Sequence, residues 1–445
     1  MFTKIRLQNF RSFGNIEFDL TQKNGSPKNL AIVYGENGAG KSNLMYAFVL
    51  LNELLLTMNI RDAYEEFLNQ KAIFTDEKVE SLMRNKIRLG LRDIKAIIDD
   101  CRMVGNDDAI VAEYEFLIDG REGKYCVHFG KDEIQYEKLE FTLNKRRGTY
   151  YECSNEGIKI NSGIVKSKEF FDDFKNSAKR FWGKHSMLAI ILHEMNDKAK
   201  SYGEDNISQY FSNVLYFFRS LSGSLKIGTK EWKKAGISFG VLEHPEYGNI
   251  DLDDEKQLDL VEQVLTKFFH SINSDIKKAY YKKTYDDKEI SYNLMFEKLI
   301  SGKYRQIDFS QESTGNHQVL RIFSYLFVAC CGDVVALDEA DSGVHDLLFK
   351  KIIEEVYPLI EGQIIITTHN TMLMETEFGY NSTYILKEDE EGNKEIKAIS
   401  DYEKRTYSNN NIRNKYLNKE YKGVPKIEEI DFKNLFDKIF DVFTQ

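Results

Sequence analysis

Residues 35–44 read "GENGAGKSNL", and this stretch decides which fold the sequence predicts. Its first eight residues fit the pattern G-x-x-x-x-G-K-[ST], whose glycines let backbone N–H groups face phosphates at the start of a helix. In such a loop the Lys reaches the β- and γ-phosphates, and the Ser hydroxyl ligates Mg²⁺. The apolar run "LAIVYG" precedes the loop and a helical stretch follows it, which is the order that the pattern requires. The residues expected to line a nucleotide are Gly35, Asn37, Gly38, Gly40, Lys41, Ser42 and Asn43.

A second polar cluster lies far downstream, where residues 334–341 read "VVALDEAD". Four apolar residues predict a buried strand that ends at Asp338, from where a carboxylate can hold Mg²⁺. Glu339 follows directly and is placed to polarise an attacking water as general base. The competing interpretation is a buried strand that ends in a solvated acidic turn. Because a phosphate loop stands in the same chain, we favour the catalytic interpretation.

The next apolar run, "IIITTHN" at residues 364–370, leads into His369. A histidine at a strand end can hydrogen-bond a γ-phosphate, and the alternative is a purely structural histidine. A helical stretch containing Pro358 separates this run from the acidic one. The order strand, helix, strand predicts a parallel α/β sheet.

A third motif, "SQESTGNHQVLRI" at residues 310–322, precedes both strands. It places Ser313, Thr314 and Gly315 at a predicted helix start. The exposed N–H groups and hydroxyls there either form a second anion-binding surface or simply cap an ordinary helix. The two readings are equally compatible with the residues.

The remaining sequence divides by its periodicity into segments around these motifs. Alternating polar and apolar residues predict strands near the N-terminus and a hairpin that turns at Asp119-Gly120. Residues 254–281 carry the clearest helical pattern. The predicted divisions are 1–57 and 106–150 as the first part of the nucleotide-binding domain, 58–105 as a helical insertion, 151–304 as a mostly helical insertion or arm, 305–400 as the second part of the domain, and 401–445 as a tail.

Composition limits the partners and the location of the protein. The formal net charge of −10 makes the whole molecule a poor non-specific DNA binder, so nucleic acid would need local basic patches such as Lys277/Lys278 with Lys282/Lys283. Such a patch is more often a solvated face. The vicinal pair Cys330 and Cys331 ends an apolar run and is expected in the core. The sequence shows neither a signal peptide nor a stretch of transmembrane length, which predicts a cytoplasmic protein without membrane contacts.

Taken together and in this order, the motifs resemble the ABC-type ATPases of the RecF, SMC and OLD group. The opening "LQNFRSF" also resembles this group, where Arg11 would reach the nucleotide phosphates. More narrowly, residues 112–139 and the tail resemble the RloA/AbiL-type ATP-binding proteins of bacterial anti-phage systems. The correspondences are residues 35–42 with Walker A, "ESTGN" at 312–316 with the signature, "VVALDE" at 334–339 with Walker B, "ADSGVH" at 340–345 with the D-loop, and "TTHN" at 367–370 with the switch histidine.

The resemblance implies an α/β fold: an ABC-type P-loop ATPase head with a mixed-sheet N-terminal lobe, a parallel-sheet core and a largely helical insertion. It implies ATP and Mg²⁺ as ligands, and catalysis by Lys41, Glu339 and His369. It also implies a homo-oligomer, a head-to-tail dimer or multiples of it, in which Ser313, Gly315 and Asp341 act on the nucleotide of the partner. Such ATPases are typically encoded beside an effector, often a Toprim-like nuclease. The signature departs from the transporter form Ser-Gly-Gly-Gln, and no glutamine is assigned to the Q-loop.

Two other functions stay open in the sequence. One is a RecF- or SMC-like DNA-repair or DNA-binding ATPase, with residues 151–304 as a short arm. The other is a self-sufficient nuclease, which we disfavour because the residues after about 400 are too few for a Toprim domain. In the tail, Leu435, Ile439 and Phe443 form an apolar helical stripe, for which docking on the chain's own core is the favoured prediction.

Overall fold

The computed structural model describes residues 1–71, 92–143, 145–197, 205–227, 230–234, 240–402, 411–424 and 430–443. Within these ranges the strands form three sheets, which together with the helices make a mixed α/β fold, as the sequence predicts. The helices are α1 Lys41–Lys71, α2 Ile94–Cys101, α3 Lys168–Phe181, α4 Met187–Asp197, α5 Gln209–Arg219, α6 Glu255–Ile272, α7 Thr314–Cys330, α8 Asp346–Val356, α9 Gly379–Ser382, α10 Ile399–Tyr402, α11 Ile412–Leu417 and α12 Phe432–Phe443.

The first sheet is antiparallel throughout and has the order β2-β1-β4-β5-β6-β7-β8. Its β4–β5 turn is the predicted hairpin, in which Asp119 and Gly120 both have positive φ, as a type I′ turn requires. The strands are β1 Phe2–Phe10, β2 Phe13–Asp19, β4 Ile110–Ile118, β5 Arg121–Phe129, β6 Ile134–Leu143, β7 Arg146–Ser154 and β8 Gly157–Ile160.

The central sheet has the order β10-β9-β15-β16-β3-β17-β18. Its five middle strands are parallel, and only the two edge strands pair antiparallel. The carboxyl ends of these parallel strands therefore meet at one edge, where ligands bind in sheets of this kind. The strands are β3 Leu30–Gly35, β9 Ser222–Ile227, β10 Lys230–Lys234, β15 Val334–Leu337, β16 Gln363–Thr367, β17 Thr383–Glu388 and β18 Lys394–Ala398.

The central sheet separates two hydrophobic cores. Alternate residues of β3, such as Ala31 and Val33, pack into the core shared with the first sheet and α1. Their neighbours Ile32 and Tyr34 pack into the second core, which contains α6, α7 and the third sheet. A parallel strand buried on both faces must be apolar along its whole length, which explains runs such as "LAIVYG". The third, antiparallel sheet consists of β11 Tyr247–Asp251, β12 Ile276–Tyr285, β13 Glu289–Ile300 and β14 Lys303–Asp308.

The structure corrects the prediction of a mostly helical segment at 151–304. Besides α3 to α6 the segment contains most of the third sheet and also β9, which pairs with β15 inside the central sheet. The helix predicted over 254–281 ends at Ile272, and β12 begins four residues later. In β12 buried Ala279 and Tyr281 alternate with residues that face outward, so a strand period replaces the helical one there.

Two smaller predictions are also wrong. Cys331 is exposed rather than buried, because it follows the last turn of α7. On α12, Leu435 and Ile439 are 50% and 52% exposed, so within the described residues the apolar stripe does not dock on the chain's own core. The side chain of Phe443 lies outside the described residues.

The basic patch predicted at Lys277/Lys278 with Lys282/Lys283 lies on β12. Lys277 pairs with Glu297 at 3.0 Å, and Lys283 pairs with Asp259 at 2.6 Å, so part of the positive charge on β12 is neutralised. Among the described helices, none is both long and apolar enough to cross a bilayer.

Candidate nucleotide-binding site

The predicted phosphate loop links the end of β3 to the start of α1. Gly40 has a φ of 107°, and a Cβ at this position would lie 3.0 Å from Ser12 Oγ. Glycine is therefore needed here both for the backbone conformation and for the close approach of the β1–β2 turn. On the other side, Gly35 packs against the carbonyl of Leu386 in β17. The loop is thus held between the β1–β2 turn and strand β17.

Lys41 is buried inside this loop. Its ammonium donates hydrogen bonds to the carbonyls of Gly35 at 2.8 Å and Glu36 at 3.1 Å. Burial lowers the pKa of Lys41, whereas the nearby carboxylates of Asp338 and Glu339 raise it. The loop and the acidic pair, which lie almost 300 residues apart in the sequence, therefore share one electrostatic environment.

Asp338 follows β15 and is buried next to the first turn of α1. Thr367 Oγ1, at the end of the adjacent strand β16, donates a 2.6 Å hydrogen bond to its carboxylate. Burial raises the pKa of Asp338, while hydrogen bonds from Thr367 and Ser42 lower it. The carboxylate of Asp338 and the hydroxyl of Ser42 are the hard oxygen donors that Mg²⁺ prefers, so the residues present fit that ion.

Glu339 is exposed directly beside the buried Asp338. Its backbone has a φ of 46°, which is uncommon for a residue other than glycine. The Glu339 N–H donates to Thr367 Oγ1 at 2.8 Å, so the single hydroxyl of Thr367 holds both acidic residues. Strained conformations of this kind cluster at functional sites.

His369 is exposed two residues after β16, at the same edge of the sheet. The neighbouring Asn370 is buried, donates to the carbonyl of Asp346 at 2.8 Å, and accepts a hydrogen bond from Tyr34 on its own carbonyl. These contacts fix the backbone that carries the histidine. Asn370 and Tyr34 were not among the predicted site residues. Tyr34 is one residue of an apolar strand and Asn370 is a single amide, so neither carries a sequence pattern that marks a site.

Arg11 lies in the β1–β2 turn, beside the start of α1. Its guanidinium donates to Asn43 Oδ1 at 3.2 Å and lies 3.9 Å from the centre of the Tyr46 ring. Asn43 in turn donates to Ser12 Oγ at 2.7 Å. The structure therefore places Arg11 and Asn43 beside the phosphate loop, while the exposed Asn37 lies at the loop's tip.

The signature segment lies elsewhere on the domain. Ser313 caps α7 by accepting a hydrogen bond from the Asn316 N–H, and a Cβ on Gly315 would lie 2.8 Å from the carbonyl of Gly343 in the D-loop. Among the described residues, the hydrogen bonds of segment 312–316 stay within the segment or run to adjoining residues, to Asn273 directly after α6 and to Lys298 in β13. None of them runs to the phosphate loop. Asp341 differs, because its charge raises the pKa of Lys41 in the same chain.

Thr367 is the most informative residue that the sequence reasoning did not single out. It belongs to the quoted "TTHN", but only its hydrogen bonds to Asp338 and to the Glu339 N–H reveal a role. The signal that could have found it is its position, at the carboxyl end of the strand that follows the acidic one.

A phosphate loop after β3, together with an acidic pair after β15 at the same edge of the parallel sheet, defines an ATPase of the ABC/AAA type. Residues 30–375 match the family model described as "AAA domain, putative AbiEii toxin, Type IV TA system", and the chain belongs to this family. Comparison with curated proteins gives no significant match.

The solved structures to which the chain is similar include SMC heads and a recombination mediator protein. An SMC head bound to the C-terminal winged-helix domain of ScpA is 13% identical and has a TM-score of 0.44, with 90% of this chain and 99% of that chain covered. The SMC head domain from Thermotoga maritima is 14% identical, with a TM-score of 0.36 and coverages of 89% and 98%. The recombination mediator RecF is 12% identical, with a TM-score of 0.36 and the same coverages. The assignment of class rests on the strand order, the site and the family model.

Proposed function

We propose that this chain hydrolyses ATP with Mg²⁺ and acts as a dimerising nucleotide switch that controls a partner effector. The observation that carries the proposal is the placement of Asp338 and Glu339 by the hydroxyl of Thr367, next to the phosphate loop. ATP hydrolysis needs two acidic groups, and this strand end provides both: a buried carboxylate for the metal and an exposed carboxylate for the attacking water.

Each residue of the site has a role that follows from its position. Lys41 and the N–H groups of the loop would bind the phosphates, and Ser42 with Asp338 would hold Mg²⁺, which neutralises phosphate charge when bound. Glu339 would accept the proton of the attacking water, since its side chain is exposed at the strand end. His369 would hydrogen-bond the γ-phosphate, and Arg11 would add a further positive charge.

The dimer is proposed because the signature and the phosphate loop make no hydrogen bond to each other within the described parts of one chain. In a head-to-tail pair, Ser313 and Gly315 of one subunit would close on the nucleotide of the other. ATP binding then contributes to association, and hydrolysis removes that contribution.

The third part of the proposal is the effector. It is supported by the family description, which names a toxin–antitoxin system, and by the resemblance to ATPases of anti-phage systems that act with an effector such as a nuclease. We expect a protein encoded next to this chain to co-purify with it in an ATP-dependent manner. Equal recovery of that protein with and without ATP would contradict a nucleotide switch.

The decisive variant is Glu339→Gln. We expect ATP turnover to fall by about a hundredfold or more, because the general base is lost, while ATP binding is retained. Phosphate release measures turnover, and sedimentation with ATP measures the dimer, which should accumulate in this variant. The matched control is Glu355→Gln on α8, an exposed carboxylate paired only with Lys351 among its neighbours on the described helix, which should behave as wild type.

The outcomes separate the parts of the proposal. Wild-type turnover in Glu339→Gln would show that Glu339 is not the base. A variant that binds ATP without hydrolysing it but stays monomeric would contradict the dimer alone.

A further inference from the structure

A lysine outside all the motifs reaches the phosphate loop. Lys394 is the first residue of β18, and its ammonium donates a 3.1 Å hydrogen bond to the carbonyl of Gly38. Gly38 lies at the tip of the loop, 356 positions away in the sequence. The side chain of Lys394 is only 8% exposed, so its charge is held in place rather than moving freely in solvent.

The hairpin that carries Lys394 is fixed relative to the loop. Strand β17 pairs in parallel with β3, and in this register Leu386 lies opposite Gly35. Two residues further along, Glu388 lies opposite Lys394 across the hairpin, and its carboxylate is 3.5 Å from the ammonium. The turn between the two strands is closed by Asp389, which accepts hydrogen bonds from the backbone N–H groups of residues 391 and 393.

Three cations from three separate parts of the chain thus converge on the phosphate loop. Lys41 lies inside the loop, Arg11 contacts the start of α1, and Lys394 contacts the loop's tip. A peptide carbonyl that accepts from an ammonium is oriented by it, and the next N–H groups of a phosphate loop point to the opposite side, towards the anion. Positive charge close to a polyphosphate also favours its binding directly.

We propose that Lys394 is a positioning residue for the nucleotide: it orients the tip of the phosphate loop through Gly38 and supplies a third positive charge for the phosphates. This inference rests on the proposed binding of ATP. It gives the β17–β18 hairpin, which lies outside all the sequence motifs, a role in nucleotide affinity.

The test compares ATP affinity in three variants of the full chain. Lys394→Met removes both the charge and the hydrogen bond, Lys394→Gln keeps a donor without the charge, and Lys394→Arg keeps both. We expect Met to weaken ATP binding by about tenfold or more, from the loss of one charge-assisted hydrogen bond. Gln should recover part of the loss, and Arg should come close to wild type. The Michaelis constant for ATP should rise in parallel, and the salt dependence of binding should decrease.

The matched control is Lys397→Met on the same strand. Lys397 pairs with Glu395 and is 47% exposed, so its removal should leave ATP affinity unchanged. Thermal unfolding without nucleotide should be similar for all the variants, because a role in folding alone would shift it.

Each outcome has a defined meaning. Wild-type affinity in Lys394→Met would overturn the inference, and wild-type affinity in Lys394→Gln would overturn the role of the charge. An equal loss in the Lys397 control would overturn the specific role of Lys394. If the wild-type chain itself did not bind ATP, the proposed function would fail first, and this inference would fall with it.

Discussion

Replacing Glu137 by Gln should change how the stability of this protein depends on pH. Glu137 lies on β6 and is completely buried. Its carboxylate accepts hydrogen bonds from the Met187 N–H, from the hydroxyls of Tyr125 and Tyr151, and from the indole N–H of Trp182. These donors, Tyr125 and Tyr151 on the first sheet and Trp182 after α3, join that sheet to the helices packed on it. All four donors are uncharged groups.

The expected magnitude follows from its pKa. Burial raises the pKa of Glu137 from the ordinary 4.5 to about 7, although the hydrogen bonds from Met187 and the aromatic side chains oppose this change. The folded protein therefore holds a proton that the unfolded chain releases between these pH values. Stability from this group is fully present below about pH 4.5, falls as pH rises, and levels off above about pH 7. At about 1.4 kcal/mol per pH unit, the change amounts to about 3 kcal/mol.

The assay is denaturant unfolding of wild type and Glu137→Gln at several pH values between about 4.5 and 8. Gln cannot ionise, so the free-energy difference between the two proteins isolates this one carboxylate from all the others. We expect wild type to lose about 3 kcal/mol relative to the variant over this range. In absolute terms the variant also leaves at least one buried donor unpaired, which costs about 1–3 kcal/mol at every pH.

A neighbouring carboxylate provides the control with the opposite sign. Burial raises the pKa of Glu140, but hydrogen bonds with Lys138 and Arg147 outweigh it, and the net pKa is lowered. The difference in unfolding free energy between Glu140→Gln and wild type should therefore disappear as pH falls through the ordinary range of carboxyl pKa values. A difference between wild type and Glu137→Gln that stays constant with pH would refute the reasoning, because it would mean that the donors fully offset the cost of burying the charge.

Two further predictions concern the site itself. Thr367→Val keeps the shape of the side chain but leaves the Glu339 N–H without its acceptor and Asp338 without its donor. We expect the free energy of unfolding, measured with denaturant, to fall by about 1–3 kcal/mol and ATP turnover to decrease. Thr367→Ser should largely restore both. Turnover unchanged in the Val variant would exclude a positioning role. Gly315→Ala would put a Cβ 2.8 Å from the carbonyl of Gly343. We therefore expect sedimentation to show weaker ATP-dependent dimerisation, while the monomer still binds ATP. Undiminished dimerisation would contradict the proposed dimer interface at the signature segment.

The predictions that succeeded depend on residues close together in the sequence. The strand before the phosphate loop, the helix after it, the acidic strand and the hairpin that turns at Asp119-Gly120 all carry complete local patterns, and the structure contains each of them. The parallel pairing of β15 with β16 also follows locally, because a helix between two strands returns the chain in the same direction.

The predictions that failed lacked such a pattern or extended one too far. The run "SGSLKI" of β9 is rich in serine and glycine, so nothing in it indicated a strand of the central sheet. The helical period of α6 was extended through Asn273 into β12, where the chain leaves the helix. The exposure of α12 was mispredicted because an apolar stripe specifies that a face can be buried, not what buries it.

The sequence by itself determined that this protein has a phosphate loop, an acidic strand end and a parallel sheet, since glycines, carboxylates and apolar periodicity act over a few residues. Only the tertiary structure decided which distant groups complete the site. Thr367 joins Asp338 to Glu339, and Lys394 meets Gly38, because the register of neighbouring strands brings their ends together. Strand register is a property of packing across the whole sheet, and no local pattern encodes it.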